Sequence, residues 1–344
     1  MRIRKIKRLQ YMTDRKQDHI DLAFKSQIEL PEKDNRFIYE PLLAAHPIHP
    51  APAFIFMGKC LRTPVWASSM TGGTRLAGKI NENIARVCHD FGMGMGLGSC
   101  RIILDNDTHF NDFNVRQFIG DELPLYANLG IAQIEKLIES KKVDQIKALI
   151  DKLKADGLII HINPLQELFQ PEGNTITKAP IDTIEELLSL INFPIVVKEV
   201  GQGMGVKSLE RLFQLPVQAV DFGAFGGTNF SMVELLRDDS GKLDVFRPFA
   251  YVGQTAEEMV ASVNGIVRSI PVKCKEIIIS GGIKNYLDGF YLMKKSSVSS
   301  IYGQASTILK YANVSYEALY AYIDSQVKGL TLAEAYLKIN PDNL

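Results

Sequence analysis

Long apolar runs are missing from this sequence: no stretch of about 18 consecutive apolar residues occurs, so no membrane-spanning helix is expected. An excess of charge is missing too, because Lys plus Arg and Asp plus Glu number 39 each. Without a global field, neither nucleic acid nor an anionic membrane is an expected partner, and any anion binding must be local. Cysteine is scarce. Cys60, Cys88, Cys100 and Cys274 lie far apart with no CxxC pair, which argues against a zinc site or a disulfide framework. The start, MRIRKIKRLQYMTDRKQDHI, is basic but lacks the apolar centre of a secretory signal, so a cytoplasmic protein is expected. Tandem repeats and low-complexity tracts are also lacking.

What is present suits a globular enzyme. Of 344 residues, 46% are apolar and 23% charged, enough to bury a substantial core. From residue 64 onward, short apolar runs recur and nearly all are followed by a helical pattern, the signature of repeated βα units. Four of them lie at 64–70 (PVWASSM), 92–99 (GMGMGLGS), 124–130 (PLYANLG) and 157–163 (GLIIHIN). Four more lie at 194–200 (PIVVKEV), 219–225 (AVDFGAF), 276–282 (EIIISGG) and 297–303 (SVSSIYG). Eight is the closing number of the (β/α)8 TIM barrel, the expected fold class. Helices are expected at 79–90, 131–139, 144–155, 181–190, 208–214 and 255–269, where apolar residues recur at helical spacing. Residues 1–63 are expected to form an N-terminal extension packing on or capping the barrel, with 64–344 forming the barrel itself and one domain overall. The span 228–253 is too long for a simple βα loop and reads as a functional insertion after strand six.

In this architecture the loops after the strands build the ligand site, so polar residues at strand C-termini carry functional weight. The first strand ends in Ser68, Ser69, Met70 and Thr71, the second in Ser99, Cys100 and Arg101, and the third in Asn128. The fourth ends in His161, Asn163, Gln166 and Glu167, the fifth in Lys198 and Glu199, and the sixth runs into Gly226, Gly227, Thr228 and Asn229. Singly these are weak signals, since a lone Lys is usually solvated and a lone His is usually a satisfied core residue. Together they point to a site. Lys198 directly follows the apolar run PIVV and would be costly to bury unless an anion or dipolar ligand lay against it. After the last two strands come Ser280, Gly281, Gly282, Ile283 and then Gly303, Gln304, Ala305, Ser306, glycine-containing turns before helices at the habitual phosphate site of such barrels.

Seven motifs then occur in order: MTGG at 70–73, GSCR at 98–101, ANLG at 127–130, HINPLQE at 161–167, KEVGQGM at 198–204, GGTNF at 226–230 and SGGI at 280–283. With RKQDHI at 15–20, the chain resembles the type 2, flavin-dependent isopentenyl-diphosphate delta-isomerases over essentially its whole length. The resemblance implies FMN used in its reduced form, Mg2+, and interconversion of isopentenyl and dimethylallyl diphosphates in isoprenoid biosynthesis. NADPH would serve only to reduce the flavin, which is itself thought to take part in proton transfer. By matching motif, Ser69, Met70, Thr71, Ser99, Asn128, Lys198, Thr228, Gly281, Gly282, Ile283, Ala305 and Ser306 would hold FMN. The substrate would meet Arg15, Lys16, His19, Ser99, Arg101, His161, Asn163 and Gln166, with Gln166 and Lys198 as the catalytic pair and Glu167 as the Mg2+ ligand. A homotetramer or larger homo-oligomer is also implied.

Two stretches depart from the family pattern, GQAST at 303–307 and FAYVGQT at 249–255, affecting the register of one phosphate loop and the shape of a lid. A rival reading is an FMN-dependent 2-hydroxy-acid oxidase, which normally needs a late-barrel histidine base. None of the six histidines lies after residue 161. A non-catalytic flavin-binding protein is a second rival, opposed by the intact Arg101, Gln166 and Glu167. The pair His46 and His49 in AAHPIHP lacks a nearby carboxylate and reads as loop.

Overall fold

The computed structural model describes residues 15–48 and 52–343; residues 1–14 of the basic start, and His49, lie outside the described residues. Eight parallel strands close into a barrel in chain order: β1 (Val65–Ala67), β2 (Gly94–Gly96), β3 (Leu125–Gly130), β4 (Gly157–Ile162), β5 (Ile195–Glu199), β6 (Ala219–Asp221), β7 (Glu276–Ser280) and β8 (Ser299–Gln304). Seven lie inside the run expected of them, the eighth runs one residue past its run, to Gln304, and the (β/α)8 fold class stands. β8 pairs with β1 through Tyr302 and Val65, so no strand edge is left open. The expected helices are all present, one of them a turn longer: Arg75–Phe91 begins on Thr74, whose side chain accepts the Ala77 N–H, and ends on the left-handed Gly92.

Contacts divide the chain into two compact units, Met1–Glu40 with Leu337–Leu344, and Pro41–Tyr336. In the first, residues 15–23 are helical, and the strand Phe37–Tyr39 pairs antiparallel with Leu337–Ile339. In the second, the hairpin Phe54–Phe56 and Lys59–Leu61 turns through Met57 and Gly58, both at positive φ as a two-residue hairpin turn requires. Met57 donates its N–H to Glu276 Oε1 at 2.9 Å, at the start of β7. Phe56, Met57 and Leu61 thereby pack with Trp66, Tyr126, Ile159 and Val196 in the buried core, closing the mouth of the barrel opposite the strand C-termini.

The span 228–253 folds as the helices Phe230–Arg237 and Lys242–Phe246 followed by the 3-10 segment Arg247–Tyr251. A long helix, Tyr316–Tyr336, which the sequence reading did not anticipate, completes the outer layer. Among the described residues, no helix is long and apolar enough to cross a membrane.

Candidate active site

A strand turns alternate side chains to opposite faces, so residues two apart share the barrel interior. The buried core contributes Trp66, Tyr126, Ile159, Val196, Ala219, Ile278 and Ile301, one from each of seven strands. Two residues further along stand Ser68, Asn128, His161, Lys198, Asp221, Ser280 and Gly303. The apolar floor is therefore covered by a polar layer at the C-terminal mouth, and that parity is why Lys198, only 8% exposed, faces inward.

One end of this layer forms a cavity of about 230 Å³ bounded by the loops after β1, β5, β6, β7 and β8. Ser69, Met70, Lys198 and Thr228 line one part, and Gly281, Gly282, Ile283, Ala305 and Ser306 another. Gly281 and Gly282 have φ of +86° and +73°, and a Cβ on Gly281 would fall 2.1 Å from the Ala224 carbonyl oxygen. Only glycine allows the β7 loop to pack on the β6 loop while turning toward the cavity. The start of the helix Ser306–Val314 adjoins the same space, a setting suited to a phosphate group. Among the described residues, Ser68 Oγ and Ser69 Oγ are buried without hydrogen-bond partners, as donors reserved for a ligand would be.

A second cavity of about 100 Å³ shares Ser69, Met70, Lys198, Val200 and Phe230 with the first and extends to Ser99, Asn128, His161 and Gln166. Its geometry assigns a tautomer. Asn128 Nδ2 donates to the Leu97 carbonyl at 3.0 Å, which leaves Asn128 Oδ1 to accept from His161 Nδ1 at 2.7 Å. Neutral His161 therefore keeps an unprotonated Nε2. Burial, then the positive charge of Lys198, pull its pKa from 6.5 down to about 4, against an opposing pull from Glu167. A proton taken up by the unfolded chain below pH 6.5 is thus refused by the native one until about pH 4, so stability falls as pH drops through that window. His161→Gln will lose less stability than the unaltered chain between pH 7 and 5, by on the order of 1 kcal/mol for this partly exposed ring. Urea unfolding at the two pH values measures it, and equal losses would refute the neutral assignment.

Behind this cavity, the helix Pro164–Phe169 carries Gln166 and Glu167. Asn163, 2% exposed, donates to Gln166 Oε1 at 3.0 Å, and Gln166 Nε2 donates to Glu234 Oε1 at 3.3 Å. Glu167 is buried, and its Oε2 accepts from the Asn174 N–H at 2.7 Å and Gln170 Nε2 at 3.2 Å.

The isopentenyl-diphosphate delta-isomerase of Rickettsia peacockii (strain Rustic) is 34% identical over 324 residues, spanning 93% of this chain and 92% of that protein. The chain belongs to the isopentenyl-diphosphate delta-isomerase family. The protein of the same name from Rickettsia akari (strain Hartford) is 35% identical over 306 residues, 88% of this chain and 86% of that one. No family model matches the sequence. Among solved structures, a flavocytochrome b2 variant with pyruvate bound superposes with a TM-score of 0.61 at 14% identity, covering 87% of this chain and 72% of that one. A mandelate oxidase variant with a monooxide FMN adduct superposes at 0.52 and 13%, covering 88% of each chain. At such identities the likeness shows the barrel fold.

In this member of the isomerase family, most of the expected site residues meet around the two joined cavities, but not all. Thr71 sits on a separate small cavity beside Asn81 and Met95, and Asn163 and Glu167 stand behind Gln166. Arg101 is exposed on the turn after β2. Arg101 also helps hold the Glu172 carboxyl below its ordinary range, after Glu172's own backbone N–H and Arg237. Arg15, Lys16 and His19 lie exposed on the helical residues 15–23 of the other unit.

Two carboxylates in the site escaped the sequence reading. Asp221, fully buried, faces Lys198 across β5 and β6 and accepts a hydrogen bond from Ser280 Oγ. Burial raises its pKa, and Lys198 and Ser280 offset part of that rise. Glu234, 4% exposed, joins Gln166 to Arg237, whose Nη1 lies 2.5 Å from Glu234 Oε2. Counting two residues on from Ala219, as from Val196 to Lys198, would have found Asp221. Glu234 has no comparable signal.

Proposed function

We propose that this chain interconverts isopentenyl and dimethylallyl diphosphates with reduced FMN and Mg2+. The observation that carries the reading is the polar layer over the barrel floor, which joins a glycine-lined phosphate setting to the small cavity of His161 and Gln166. The residues fit an FMN. The turns at Gly281, Gly282 and Ser306 suit its phosphate, the partnerless Ser68 and Ser69 hydroxyls offer donors, and Lys198, a cation on the same cavity, would favour an anionic reduced ring. Mg2+ needs only one or two carboxylates beside waters and substrate phosphates. Glu167, a buried carboxylate beside Gln166, is the residue that the family resemblance offers for that role.

The reaction adds a proton to a terminal alkene carbon and removes another from the carbon next to the diphosphate-bearing methylene, with no net redox change. Bound in reduced form beside the alkene, FMN would supply a group able to give and take a proton there. Gln166 cannot titrate, and its link to Asn163 and Glu234 fixes its amide so that it orients the apolar chain. Neutral His161 presents an acceptor rather than a charge. Phe230 and Val200 border both cavities and keep that end apolar. Arg101, with Arg15, Lys16 and His19 through the family resemblance, belongs to the proposed diphosphate set, since basic forks match phosphate oxygens.

A purified yellow protein, reduced anaerobically with dithionite and given isopentenyl diphosphate and Mg2+, will form many product molecules without consuming NADPH. One NADPH oxidised per product, or full activity with oxidised flavin, would overturn the reading.

A further inference from the structure

Glu167 is held asymmetrically. Its Oε2 accepts three N–H donors, the Asn174 main chain at 2.7 Å, Gln170 Nε2 at 3.2 Å and Asn174 Nδ2 at 3.4 Å. Its Oε1 has a single contact, Asn163 Nδ2 at 3.4 Å, as long as the longest of those three. Three donors meet one oxygen and one meets the other. The donors come from residues 170–178, a segment clamped on several sides. Buried Glu135 accepts the N–H groups of Thr177 at 2.9 Å and Lys178 at 3.1 Å, and Arg237 pairs with Glu172 at 3.0 Å. At Gly173 the segment passes so close to Glu167 that a Cβ would lie 1.8 Å from the Glu167 carbonyl oxygen.

Asn174 is the junction. It gives Glu167 both a main-chain and a side-chain donor, while its own Oδ1 accepts from the Lys136 ammonium. A cation on the amide oxygen draws electron density from the amide and strengthens its N–H as a donor to the carboxylate. We propose that Asn174, polarised by Lys136, is a positioning residue that turns the Glu167 carboxylate so that Oε1 faces the divalent cation. The proposal rests on the reading of Glu167 as the metal carboxylate. Partners of this kind orient metal-binding carboxylates, and losing one typically costs about 10–100-fold in metal affinity. In Asn174→Ala the main-chain donor stays, the side-chain donor goes, and the Lys136 ammonium is released to compete for the same carboxylate.

The test uses the FMN-loaded protein with isopentenyl diphosphate, and Mn2+ as a paramagnetic stand-in whose free ion is counted by electron paramagnetic resonance. Asn174→Ala will raise the Mn2+ Kd about 10-fold or more. FMN content and thermal midpoint will stay unchanged, and kcat will recover at saturating Mn2+. Lys136→Met, which leaves the loop residue in place, will shift the Kd the same way by less. Glu167→Gln separates the two claims. If it still binds Mn2+ normally, the metal reading falls and this inference with it. If it loses Mn2+ while Asn174→Ala binds at the unaltered Kd, the inference alone falls. A kcat loss in Asn174→Ala that saturating Mn2+ does not restore also overturns it.

Discussion

Replacing Glu167 with glutamine will lower Mg2+-dependent turnover by at least roughly 100-fold while leaving bound FMN in place, because a metal clamp on charged phosphate oxygens contributes several kcal/mol. The substitution is nearly isosteric, and an amide oxygen can still accept the Asn174 N–H that now reaches Glu167 at 2.7 Å. What it removes is the negative charge a hard divalent cation requires. Glu167 lines neither of the two joined cavities, so the residues proposed to hold the flavin are untouched. The check is a Mg2+ titration of the rate beside a flavin absorbance spectrum. A normal rate at the same Mg2+ would mean that the cation is held elsewhere, and loss of FMN together with activity would mean that the residue shapes the barrel mouth instead.

The parts of the fold legible in the sequence are those with local signals. Runs such as GLIIHIN and PIVVKEV announce β4 and β5, and the strand-end polar residues announce the mouth. β2 is shorter than its run, which opens on Gly92, the left-handed cap of the preceding helix, and its glycines sit against large neighbours: a Cβ on Gly94 would lie 2.1 Å from the Trp66 ring. Such close approaches have no local pattern. The pairing of Phe37–Tyr39 with Leu337–Ile339 joins segments about 300 residues apart, and neither reads as a strand by itself. Glu234 was missed for the same reason, since its partner Gln166 is 68 residues away and its helix looks like an amphipathic segment of an insertion. Glu135 and Thr177 are likewise tied across 42 residues. Asp221 is a different case. It lay in plain view within AVDFGAF, and the burial argument applied to Lys198 applies to it equally, so the two belonged together from the start.

That pairing makes Lys198 the most informative single position in the barrel mouth. Its Nζ donates to the Glu199 carbonyl at 2.7 Å, and Glu199 in turn collects the N–H groups of Gly201, Gln202 and Gly203 at 2.6–2.8 Å. The ammonium is thus aimed by a strand end whose following loop is itself fixed, a preorganised charge on a side chain only 8% exposed. Removing it need not wreck the fold. Asp221, already raised by burial and eased by Lys198, would rise further and take a proton, leaving no unpaired charge inside the barrel. Lys198→Ala will therefore fold, bind FMN more weakly, and at saturating FMN turn over about 100–1,000-fold more slowly, the range seen when one preorganised donor is lost. Flavin fluorescence gives the Kd, anaerobic turnover with pre-reduced flavin gives kcat, and the two must be read separately. If kcat at saturating FMN stays within about threefold of the unaltered enzyme, Lys198 only binds the cofactor, and the charge that matters to the proton transfers lies elsewhere.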